Sequence, residues 1–258
     1  MAVILNVVGE NTLNHLRALL VLLSAPFFTA ACSLAVLIGR GVLRIPVVKI
    51  QAVPHFWGRM ITTWSGVRVR VEGLERLDRS KPYIFVANHQ SQFDIFVLDG
   101  FLDIDFRWLA KKELFRVPLF GWAMLLAGSI PVDRSHGRQA IKSLDEAAKR
   151  IAAGASVVIF PEGTRSPDGK LQPFKAGGMQ LAIKSGVELV PLAITGTHQV
   201  LPKGKILIRP GRVVIRVGTP VDSRDYGSKE KQALAELLHD RVAFLMRKDE
   251  SRSEAQDS

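Results

Sequence analysis

Hydrophobic and polar positions change rhythm twice along this chain. From Ala18 to Ile38 the run "ALLVLLSAPFFTAACSLAVLI" carries no charge, and it is long enough to cross a bilayer as a helix. Pro26 interrupts it and leaves two forms open, a kinked spanning helix or a bent, half-inserted hairpin. The next stretch, "IPVVKIQAVPHFWGRMITTWSG", mixes apolar residues with His55, Trp57, Arg59 and Trp64, the composition of a helix at the headgroup level. After Gly66 strands and helices alternate. "VRVRVE" has period two, and "PYIFVAN", "FRWLAKK", "GSIPVDR", "SVVIF" and "ELVPLAIT" read as further strands. Helices are expected from near Asp94 through "FDIFVLDGFL", and through "PLFGWAMLL" and "GGMQLAIKSG". Another is expected over "GRQAIKSLDEAAKRIAAG", with Ile141, Leu144, Ala148 and Ile151 on one face, and a last one from Lys229 to about Met246. "KILIRPGRVVIRVG" reads as a hairpin turning at Pro210–Gly211.

This alternation predicts an α/β fold, a mixed, mainly parallel sheet flanked by helices, with an N-terminal membrane-associated helical segment. Residues 1–65 form the expected anchor and 66–247 the α/β domain, and the polar tail 248–258 is expected to be disordered.

Composition sharpens the membrane reading. The 258 residues carry a net charge of +11, which suits polyanionic surroundings such as nucleic acid, anionic lipid or phosphorylated ligands. Residues 1–70 hold seven Lys or Arg against one acid, Glu10, a net +6 that flanks the most apolar part of the chain. That placement favours membrane lipids, and no zinc-finger spacing or RNA-binding aromatic signature points to nucleic acid. Arg40, Arg44 and Lys49 outnumber Arg17, so the expected location is the inner membrane with the catalytic domain facing the cytoplasm. The apolar run continues past the small residues near Ala30, which fits a cleaved signal peptide less well. The single cysteine, Cys32, excludes an intramolecular disulfide.

In α/β sheets ligands gather at the carboxyl ends of strands, and two such ends here are unusually polar. "NHQSQFD" sets His89 and Asp94 five positions apart. Either His89 is a hydrogen-bonded structural histidine, or Asp94 holds its Nδ1–H and leaves Nε2 as a base. No Gly-x-Ser-x-Gly elbow occurs, and no two histidines stand at the spacing of a helical metal site. "PEGTRS" sets Glu162, Gly163, Thr164 and Arg165 on a tight turn, where Glu162 pairs with Arg165 or Arg165 grips a phosphate. Lys111 and Lys112 are solvated or assist it, and Arg134 of "IPVDR" is a weaker candidate.

The ordered set "NHQSQFD", "KKELFRVPLFG", "IPVDR", "FPEGTRS" and "VPLAI", over roughly residues 60–220, resembles the glycerolipid acyltransferase superfamily. Within it the chain is most similar to bacterial 1-acylglycerol-3-phosphate acyltransferases. The resemblance implies His89 as general base and Asp94 as its orienting partner. It also implies that Glu162, Gly163, Thr164 and Arg165, assisted by Lys111 or Lys112, bind the phosphate of lysophosphatidic acid. An acyl thioester, acyl-CoA or acyl carrier protein, is the implied co-substrate, with no cofactor or metal. The product is phosphatidic acid, so the setting is phospholipid biosynthesis. Other readings are the same chemistry on glycerol 3-phosphate or another lysophospholipid, a metal-dependent phosphoesterase, and a non-catalytic lipid-binding protein.

Overall fold

The computed structural model describes residues 2–133 and 138–254. Seven strands, β1 (Val67–Glu72), β2 (Ile84–Ala87), β3 (Phe106–Lys111), β4 (Ile130–Val132), β5 (Ser156–Ile159), β6 (Leu189–Thr195) and β7 (Gly211–Val217), form one sheet in the order β1-β7-β6-β2-β5-β3-β4. Every neighbouring pair is parallel except β6 and β7. The parallel strands are short apolar runs because both faces are covered. Phe85 and Ala87 point to one side, against Phe93, Val97 and Leu98 of α4 (Phe93–Phe101). Ile84 and Val86 point to the other, where α6 (Arg138–Ala152), α7 (Gly177–Ser185) and α9 (Lys231–Glu254) supply Ile151, Met179, Leu181 and Leu238.

β5 inserts between β2 and β3. The loops that follow β2 and β5 therefore emerge side by side at the carboxyl ends of two neighbouring strands, and these are the two polar stretches.

Several expectations change. Pro26 does not break the first helix: α1 runs unbroken from Ala2 to Val36. The chain turns later, through one wide turn at Leu37–Val42 and a left-handed Arg44 (φ 54°) ahead of Pro46. After α2 (Val47–Ile50), α3 (Ala52–Trp64) packs on α4 rather than lying free at a surface. The contact is backbone on backbone: a Cβ on Gly58 would come within 2.6 Å of the Phe96 carbonyl oxygen, and one on Gly100 within 2.5 Å of the Arg59 nitrogen. The hairpin at Pro210–Gly211 is absent. Residues 201–210 form a loop between prolines, with Ile206 exposed, and β7 pairs with β6 and β1 instead. Pro202 and Pro210 lack the N–H groups that a ladder there would need. In α6, Ile141 faces solvent, and the buried stripe is Ala147, Ala148 and Ile151. The tail expected to be disordered from residue 248 is helical as far as Glu254. Arg134 lies outside the described residues.

Candidate active site

After β2, the side chains of Asn88, His89, Gln90, Ser91 and Asp94 each have a defined partner. Asn88, fully buried, bridges to β6: its Nδ2 donates to the Ile194 carbonyl at 2.8 Å and its Oδ1 accepts from the Ile194 N–H at 2.7 Å. His89 Nδ1 lies 2.8 Å from Asp94 Oδ2. The same oxygen accepts the backbone N–H groups of Gln90 at 2.8 Å and Ser91 at 2.9 Å. Asp94 is wholly buried in the first turn of α4, where free N–H groups favour a carboxylate. Ser91 Oγ accepts from the Phe93 N–H at 3.0 Å and donates to the Leu201 carbonyl at 2.6 Å, closing the helix start. A tight turn at a helix N-terminus thus immobilises the carboxylate, and the carboxylate fixes the imidazole. Nε2 is left over.

Glu162 does not pair with Arg165. It is buried, and its Oε1 accepts the backbone N–H of His89 at 2.7 Å, so it ties the second loop to the first. Ser166 N–H donates to the His89 carbonyl at 2.8 Å as a second tie. Burial pushes the Glu162 carboxyl up to about 7, the Asp94 charge adds to the shift, and the hydrogen bonds from His89 and Gln172 oppose it. Gly163 stands at φ +76°, in the left-handed region, with the Lys175 ammonium against it, 2.9 Å from where a Cβ would stand. Lys203, which the sequence reading passed over, donates to the Arg165 carbonyl at 2.8 Å and holds the loop from outside.

His89, Gly163, Thr164, Arg165 and Lys111 line one cavity of about 360 Å³. Glu162 and Lys112 do not. Lys112 pairs with Asp133 at 2.5 Å, so the assistance expected of either lysine rests on Lys111, which is exposed beside Glu113. From His89 the cavity runs past Phe160 and Trp108, then between Trp57, Ala123 and Met124 to Thr29, Cys32 and Val36 of α1. A site with one polar, cationic end and one apolar end, bounded by the helix expected to meet lipid, is shaped for an amphiphile. Among the described residues no group of three or more metal-ligating side chains occurs.

A family model described as "Acyltransferase" matches residues 68–195. The solved 1-acyl-sn-glycerophosphate acyltransferase of Thermotoga maritima has the same fold, with a TM-score of 0.76 at 30 % identity, over 89 % of this chain and 94 % of that one. The chain belongs to the glycerolipid acyltransferase superfamily. Curated relatives include the chloroplast 1-acyl-sn-glycerol-3-phosphate acyltransferase BAT2 of Brassica napus, 36 % identical over 72 % of this chain and 53 % of that protein. The enzyme of the same name from Pseudomonas aeruginosa is 37 % identical over 67 % and 65 %. The chain spans about half the length of the chloroplast relatives. The superfamily's two loops, His-x4-Asp and Glu-Gly-Thr-Arg, are those that β2 and β5 place side by side here.

Two buried carboxyls make stability depend on pH. Glu162, raised to about 7, and Asp99, which burial pushes up to about 8 against the hydrogen bond from Trp108, hold their protons more tightly folded than unfolded. Their contribution to stability is complete below about pH 4 and is lost as pH rises through 7 and 8. Thermal unfolding in detergent should show Tm falling between about pH 4 and 8, and the fall should be shallower in Glu162→Gln. A slope unchanged by that substitution would mean Glu162 titrates normally.

Proposed function

We propose that the chain transfers a fatty acyl group from an acyl thioester to the free hydroxyl of 1-acylglycerol 3-phosphate, forming phosphatidic acid, with His89 as general base. The observation that carries this is His89 Nδ1 held by the buried Asp94, in a cavity that Arg165 and Lys111 also line. The relatives in plants, bacteria and yeast, each a 1-acyl-sn-glycerol-3-phosphate acyltransferase, support the acceptor. The acceptor hydroxyl gives its proton to Nε2 as its oxygen attacks the thioester carbon. Collapse of the tetrahedral intermediate breaks the C–S bond, and the proton passes to the departing thiolate. An alcohol is a poor nucleophile until deprotonated, whereas a thiol with a pKa of roughly 8.5 leaves readily, so the base matters more at attack than the acid at departure. Arg165 presents a planar fork to the acceptor phosphate, while the acyl chains occupy the apolar arm of the cavity.

Purified protein in detergent, assayed with acyl-CoA and acyl carrier protein donors against lysophosphatidate, glycerol 3-phosphate and other lysophospholipids, tests this. Lysophosphatidate should exceed every other acceptor in kcat/KM. Comparable use of glycerol 3-phosphate would replace the acceptor, and loss of activity to a chelator would replace the mechanism.

The membrane reading follows from where the apolar helix is docked. Thr12–Val42 is long and apolar enough to cross a membrane. Yet the Arg17 guanidinium lies beside Gly66 at the foot of β1, Trp57 Nε1 donates to Thr29 Oγ1 at 2.9 Å, and Val36 packs with Ile50, Ala123 and Ala127. Both ends of the run thus touch the catalytic domain, whereas a spanning helix would carry one end to the far side of the bilayer. The outward face, with Leu16, Leu20, Leu23, Phe27 and Leu34, is continued by Trp122 and Leu125 of α5 (Phe120–Leu126). The helix lies in one leaflet, at the cytoplasmic face of the inner membrane. High salt should not release the protein, because apolar burial is unaffected by screening. In a Cys32→Ala background, cysteines at Asn14 and Gly41 should label from the same side of sealed vesicles. Labelling from opposite sides would make the helix a span.

A further inference from the structure

Three neighbouring parallel strands bring one ring each to the same level of the sheet. His89 follows β2, Phe160 follows β5 and Trp108 lies in β3, strands adjacent in the order β2-β5-β3. The His89 ring lies flat on Phe160, with centroids 4.0 Å apart and planes 13° apart. Phe160 lies against Trp108 at 5.9 Å and 22°. The row is held at both ends by carboxyls of one helix, α4. Asp94 holds His89, and Asp99 accepts the Trp108 Nε1–H on both oxygens, at 3.1 and 3.2 Å.

Asp99 is only 9 % exposed, in the wall of the cavity, where burying a carboxyl is costly. It is also tightly seated, since a Cβ on Gly58 of α3 would stand 2.8 Å from its own Cβ. The mechanism above makes no use of it.

We propose that Asp99 is a positioning residue that acts through Trp108 and Phe160 to set the plane of the His89 ring. One hydrogen bond from Nδ1 to Asp94 leaves the imidazole able to tilt about that contact, and the flat face of Phe160 removes the tilt. Phe160 has no polar atom to anchor it, and Trp108, tied by its N–H, backs it from the far side. The effect on turnover rests on reading His89 as the base. The effect on the ring does not.

Trp108→Phe keeps an aromatic ring and removes the N–H, and Asp99→Leu removes the acceptor. Each should lower kcat about tenfold with both KM values little changed, since a displaced base mis-aims the proton transfer. The double variant should be no worse than either single one, because both break the same link. In the resting protein the His89 ring C–H resonances, identified by their loss in His89→Ala, should move away from their stacked positions in both variants. Asp99→Asn, which keeps an acceptor oxygen, should return most of both effects. His89 resonances that stay at wild-type positions in Trp108→Phe would overturn the proposal, whatever happens to the stability of Asp99→Leu. Resonances that move while turnover stays at the wild-type rate would uphold the positioning and remove the base reading instead.

Discussion

His89→Ala should lower kcat by about 10²–10⁴-fold, the range a positioned general base contributes, in an assay that follows thiol release. The variant should fold, because the ring packs on Phe160 at the edge of a cavity rather than inside the core. Asp94→Asn should be impaired nearly as much. One Asp94 oxygen serves the ring and both the Gln90 and Ser91 N–H groups, so an amide that keeps its oxygen there loses the charge that stabilises the imidazolium, and one that turns its NH₂ to Nδ1 gives up those N–H groups and places the proton on Nε2. The ring then lacks its basic nitrogen where the substrate hydroxyl arrives. A His89→Ala protein that retains half its turnover would remove the pair from the chemistry.

Arg165→Ala should cost roughly 10- to 150-fold in kcat/KM for lysophosphatidate, the equivalent of about 1.5–3 kcal/mol for a charged hydrogen bond. The loss should fall mainly on the acceptor KM and spare the donor KM. Arg165→Lys should recover only part, because an ammonium keeps the charge and loses the two-point geometry. Among the described residues no side-chain ion pair occupies the Arg165 guanidinium, whereas Lys112 is spent on Asp133. The competing role, shaping the loop through Glu162, is already filled by the His89 N–H. Monoacylglycerol, which lacks the phosphate, is the control acceptor. Equal losses on both acceptors would mean that Arg165 only supports the loop.

The sequence exposed what is local. Period two in "VRVRVE", the short apolar runs of β2 and β5, and the polar residues that stop them are near-neighbour patterns, and His89 meets Asp94 within a single turn. What it hid depends on sheet order. Trp108, Phe160 and His89 are far apart in the chain and become a row only because β5 enters between β2 and β3. The Lys112–Asp133 pair likewise needs β4 beside β3. An uncharged run such as Ala18–Ile38 reads the same whether lipid or protein covers it, so its docking against α3 was not legible. The segment "KILIR" alternates like a strand, and the prolines on either side of residues 203–209 were the signal against it.

The glycine contact between α3 and α4 has a practical meaning for anyone wishing to handle this protein without detergent. Cutting the chain at residue 65 would strip α3 from the helix that carries both Asp94 and Asp99, expose the backbone that Gly58 and Gly100 press together, and open the apolar arm of the cavity to water. The product would be an unroofed α/β domain, not a soluble one. A water-soluble form is better sought by keeping the full length and replacing Leu16, Leu20, Leu23 and Phe27 on the outward face of α1 with glutamate and lysine, which leaves the roof seated and weakens the bilayer's hold on the helix.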